Sequence, residues 1–142
     1  MAYTKTVWED LPSTNTPINA TNLNNIENGI KTNETNITAL NSYSTNSYAS
    51  NGISFRFEKI GRMVIVTLEG TTTSALTADV NYSVTISSDY TPTGPVRNSL
   101  LFNEAGVIAY IYVDGTTLQY RTKSNVSSPA YPRVSFTYIA RN

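Results

Sequence analysis

The sequence predicts a mainly β protein with an N-terminal α-helix: a coiled-coil stalk followed by an antiparallel β-sandwich head, jelly-roll-like in form. Three observations lead there. Leu23, Ile26, Ile30, Asn33, Ile37 and Leu40 recur at alternating three- and four-residue steps in a segment otherwise built of Asn, Thr, Glu and Lys. Beyond residue 52 the apolar period changes to two, with Gly, Pro and Asp punctuating short alternating runs. The chain has no Cys, so packing and association alone must hold it together.

Taken in order, residues 1–17 carry Trp8, Leu11, Pro12 and Pro17 among polar residues with no sustained period, and read as an extended arm. An exposed Trp there either docks into a groove on another protein or folds back onto its own helix. Thr16 followed by Pro17 fits an N-cap and first helical position, and Asn19 is a second candidate cap. Residues 18–41 form the coiled-coil helix. Its apolar stripe is too narrow to be covered by the helix itself, so partner helices are required. Each covered core position contributes about 1.5–3 kcal/mol, while Gly29 costs about 1 kcal/mol relative to Ala. Asn33 at a core position either fixes register and strand number or is an imperfect heptad.

Residues 42–52 (SYSTNSYASNG) lack an apolar period and are rich in turn formers, so a linker is expected. The head, residues 53–142, then supplies seven short strands. Ile53, Phe55 and Phe57 alternate with polar residues; Gly61 turns the chain; Met63 to Val66 form an apolar run suited to burial on both faces. Val80, Tyr82, Val84 and Ile86 alternate up to a proline-rich loop, and Leu100 to Phe102 makes a short strand. Val107 to Val113 leads to a hairpin signal at Asp114-Gly115, with Leu118 and Tyr120 on the return and Val134, Phe136 and Tyr138 closing the chain. A head of this size is marginal alone without disulfides. The Ile108, Tyr110 and Tyr112 side of its strand is therefore expected to pack between subunits.

Composition removes much chemistry. With no His, the usual general base, commonest metal ligand and standard triad are missing, and no phosphate-binding glycine loop or calcium loop occurs. Glu58, Glu69, Asp79, Asp89, Glu104 and Asp114 could form a glycosidase pair, but as dispersed acids they read as solvated surface. No enzyme activity and no cofactor or metal are expected. Ten Lys plus Arg balance ten Asp plus Glu without a basic stripe, which argues against nucleic acid and anionic membrane. No signal peptide or membrane-spanning run is evident. Five Asn-x-Ser/Thr triplets, at Asn19, Asn33, Asn36, Asn81 and Asn125, are ascribed to composition. What remains is recognition: the chain holds ten Tyr, rings suited to sugar faces with a polar tip. Tyr90 in the proline loop, Tyr120 beside Arg121, and Tyr131 near Arg133 are the saccharide-binding candidates, each weighed against ordinary core packing.

The segment TVWEDLPSTNTPINATNLNNIENGI resembles the opening of baseplate, tail-fibre and receptor-binding proteins of tailed phages that infect Gram-positive bacteria. More loosely, RFEKIGRMVIVTLEG, ISSDYTPTGP, GVIAYIYVDGTTLQY and the terminal SFTYIA are similar to the C-terminal heads of such proteins. The resemblance implies a homotrimer located in the virion and made in the host cytoplasm. An arm holding Trp8, Leu11 and Pro12 would attach to other phage proteins, a three-helix bundle would form the stalk, and the heads would bind host cell-wall or capsular polysaccharide. The short spacing between helix and head departs from the usual member, which has a longer shaft. The alternative is a purely structural baseplate, neck or head-fibre component.

Overall fold

The computed structural model describes residues 20–102 and 106–141, in two compact units that divide between Asn41 and Ser42. The first holds α1 (Ala20–Leu40). The N-cap candidates Thr16, Pro17 and Asn19 and the arm residues Trp8, Leu11 and Pro12 lie outside the described residues. The helix carries no acid in its first turn and no base in its last. Thr32 and Thr35 turn their hydroxyls back onto the carbonyls of Asn28 and Lys31. A helix so poor in intrinsic support depends on what covers its apolar stripe. Leu23, Ile30, Ile37 and Leu40 are 50–70% exposed and Ile26 half-buried.

The second unit is a two-sheet antiparallel sandwich. Its strands are β1 (Tyr43–Ser50), β2 (Ile53–Ile60), β3 (Met63–Gly70), β4 (Tyr82–Thr85), β5 (Val96–Phe102), β6 (Val107–Asp114), β7 (Thr117–Thr122) and β8 (Val134–Ile139). The sheets run β1-β2-β3-β8 and β4-β7-β6-β5. The sandwich agrees with expectation, but the jelly-roll order does not. β1-β2-β3 and β5-β6-β7 are local meanders, each joined by one strand from elsewhere, and only the second sheet has Greek-key order.

The expected linker is corrected most sharply: residues 43–50 are a full edge strand paired with β2 from Tyr43↔Ile60 to Ser50↔Ile53. Its turn is Asn51-Gly52, with φ of 50° and 78°. This is a two-residue hairpin pair in the left-handed region that such turns demand. A Cβ on Gly52 would collide with the Thr71 carbonyl oxygen. The Asn51 carboxamide anchors the turn, accepting from the Ser74 N–H and from the Thr73 and Ser74 hydroxyls.

β1 has no apolar period because its inward side chains meet polar groups of β7 and of the segment between β4 and β5. Ser44 accepts from the Tyr90 hydroxyl, Ser50 from that of Tyr120, and the Tyr48 hydroxyl accepts the Ser87 N–H. The core between the sheets is thus part aliphatic (Ile53, Val64, Val66, Ile111, Val113, Leu118) and part aromatic. Phe57 packs against Tyr48 and Tyr90, and Phe55 against Tyr120, which stacks on Tyr82, all at 5.3–5.4 Å between ring centroids.

Two smaller corrections follow from the pleat. β3 is buried on one face, through Val64, Val66 and Leu68, while Met63 is exposed. The β6–β7 turn is Gly115-Thr116, one residue beyond Asp114-Gly115, because Asp114 still pairs with Thr117. On the outer face of the first sheet, Tyr43, Ile60, Met63 and Ile139 form one cross-strand row over all four strands, each 43–60% exposed.

Tyr138 donates its hydroxyl to the Tyr90 carbonyl inside the core. Burial first, then Tyr48 and Tyr90, push its phenol well above the ordinary value. A native pKa raised above the unfolded value of about 10 leaves stability unaffected below that pH. Stability falls above it, where the unfolded chain binds fewer protons than the native one. Denaturant midpoints are expected to be flat from about pH 7 to about pH 10 and to drop beyond. Tyr138→Phe should weaken that drop while costing about 1 kcal/mol at neutral pH for the lost bond.

Candidate functional site

The site is built on the outer face of the β4-β7-β6-β5 sheet. Alternation sends Ala109, Ile111 and Val113 of β6 inward and Ile108, Tyr110 and Tyr112 outward. Register then sets each outward residue in a cross-strand row. Arg97, Tyr112 and Gln119 form one row; Ser99, Tyr110 and Arg121 form the next. Asn81 borders them just before β4, and with Arg97, Tyr110, Tyr112, Gln119 and Arg121 it lines an open depression of about 460 Å³.

The electrostatics of this face are uneven. The Arg97 guanidinium lies 5.6 Å from the Tyr112 ring centre, and the Lys123 ammonium 5.8 Å from that of Tyr110. Tyr112 donates its hydroxyl to Asp114 Oδ2 at 3.0 Å, a bond that raises its phenol pKa; desolvation and the Asp114 charge add to the rise, while Arg97 opposes it. Lys123 is paired with Asp79 at 3.2 Å. Among the described residues no carboxylate lies within 4.0 Å of Arg97 or Arg121. Rings flanked by guanidiniums and carboxamides can stack on an apolar ligand face while hydrogen bonding to its polar edge.

The saccharide candidates are dispersed. Tyr90 and Tyr120 are 3% and 2% exposed and both belong to the core, while Tyr120 also borders the depression beside Arg121. Arg121 sits in the depression described above. Tyr131 and Arg133 border a second hollow of about 340 Å³ with Leu68, Glu69, Thr71 and Pro132. Tyr110 and Tyr112, expected between subunits, stand on the outer face and border the 460 Å³ depression. Asn81, Arg97 and Gln119 carry no local pattern that marks them, since only strand register brings them beside the rings. Among the described residues no cluster of acids could hold a metal ion, and no helix is long and apolar enough to cross a membrane.

These features define a β-sandwich with an aromatic, guanidinium-edged depression on an outer sheet face. No protein-family model matches the chain, and no curated protein does. Among solved structures it is similar to the fibre head domain of the Atadenovirus snake adenovirus 1 in two crystal structures. The native form has 18% identity over 68% of this chain and 87% of that one, at a TM-score of 0.40. The selenomethionine derivative has 17% identity over 70% and 95%, also at 0.40.

Proposed function

We propose that the chain is a non-enzymatic virion adhesion protein, a homotrimeric phage fibre or baseplate accessory whose β heads hold host cell-surface saccharide. The observation that carries the reading is the Tyr110–Tyr112 depression, a ligand-sized hollow that mixes rings, carboxamides and guanidiniums. The exposed aliphatic stripe of α1 supports association through a coiled coil, which concentrates three weak sites on one particle. Arm residues Trp8, Leu11 and Pro12 would join the trimer to other phage proteins. In binding to purified cell-wall or capsular polysaccharide, Tyr110→Ala with Tyr112→Ala is expected to weaken the full-length protein at least about tenfold while leaving its melting temperature nearly unchanged. Absence of saturable binding by the unaltered chain would remove the receptor role.

The row Tyr43, Ile60, Met63 and Ile139 favours a second reading. A contiguous apolar patch at one end of a sheet marks a protein contact, so a purely structural virion component would bury its heads there against other virion proteins. Heads covered in the assembled particle, with no polysaccharide binding, would decide for it.

A further inference from the structure

We propose that the Tyr110–Tyr112 depression takes a saccharide unit bearing an anionic group, a carboxylate or a phosphate; this rests on reading the depression as a saccharide site. The formal charge of the chain is zero, yet charge is not evenly compensated here. Among the described residues, five charged side chains stand around the two rings: Arg97, Arg121, Lys123, Asp79 and Asp114. Asp79 is paired with Lys123, and Asp114 keeps its charge while accepting from the Tyr112 hydroxyl, so the five groups carry one net positive charge. The two arginines are not engaged by any acid among the described residues.

Register places those arginines on the strands either side of β6, in adjacent rows. Strands lie about 4.8 Å apart, so the two guanidinium-bearing strands are separated by about 10 Å, with the tyrosine rings between them. A sugar ring resting on Tyr110 or Tyr112 can therefore direct a substituent to either guanidinium. A planar fork of N–H donors matches the paired oxygens of a carboxylate or phosphate. Asn81 and Gln119 remain for hydroxyl groups. A neutral sugar would use the rings and amides and leave both arginine forks in water.

The test titrates the full chain with trigalacturonate, its methyl ester and a phosphorylated mannose oligosaccharide. The ester keeps the sugar rings and removes the charge; the third probe separates phosphate from carboxylate. At least one charged probe is expected to bind about tenfold or more tighter than the ester, with a preference that shrinks as ionic strength rises. Arg97→Gln and Arg121→Gln should each reduce that preference severalfold, with unchanged melting temperature and solution mass. Equal binding of charged probes and ester overturns the anionic inference while the saccharide reading stands. So does a result in which both arginine variants bind as the unaltered chain does. No binding of any probe, together with none to whole polysaccharide, overturns both. A change of solution mass in either variant assigns the face to a subunit contact and also overturns the inference.

Discussion

Phe57→Ala is expected to destabilise the head by about 3–5 kcal/mol, the usual result of emptying a filled aromatic position. Phe57 is fully buried on β2 and makes edge and tilted contacts with Tyr48 and Tyr90 at 5.4 Å. It therefore joins the edge strand β1 to the loop before β5. A domain of this size has a net stability of about 5–15 kcal/mol, and each kcal/mol moves its midpoint by about 4–8 °C. Thermal unfolding followed by near-ultraviolet circular dichroism should show a midpoint lowered by about 15–30 °C. The loss of Tyr48 and Tyr90 packing should appear first, since those rings lose their shared neighbour. A change below about 1 kcal/mol would mean that the two sheets do not meet through this ring.

The second large effect concerns the helix. Light scattering on the intact chain is expected to return three times the 15.6 kDa chain mass at micromolar concentration. Ile30→Asp with Ile37→Asp should return a single chain with a folded head. Both residues are more than half exposed in the isolated chain. Removing two core layers from three helices withdraws on the order of 10 kcal/mol per assembly, before the cost of bringing carboxylates together. The head should survive, because its core belongs to its own compact unit. A stable, folded single chain before substitution would sink the trimer, and with it the avidity on which weak saccharide contacts depend.

How far each element was legible follows from where its signal lies. β2, β6, β7 and β8 announce themselves because alternation is a property of neighbouring residues, and one face of each is the core. β1 carries a single local cue, the Asn51-Gly52 turn. Its inward Ser44 and Ser50 look like loop residues until their partners are known, and those partners are tyrosine hydroxyls 46 and 70 residues away. The same long-range pairing changed the reading of two tyrosines, Tyr90 and Tyr120. Tyr90 and Tyr120, beside loops and charges in the chain, carry their polar tips into the core; Tyr110 and Tyr112, on the most apolar strand, stand on its outer face.

Local signals along the chain thus specify a helix with an uncovered aliphatic stripe, a β domain built of short alternating strands, and the lack of histidine and cysteine chemistry. These depend on period, turn chemistry and composition, all readable along the chain. The edge strand, the strand order and which tyrosines stand on an outer sheet face were set by long-range pairing. Alternation gives two faces to every strand, but pairing between distant segments chooses which face meets the second sheet. The same register brings Arg97 and Arg121 to either side of the tyrosines.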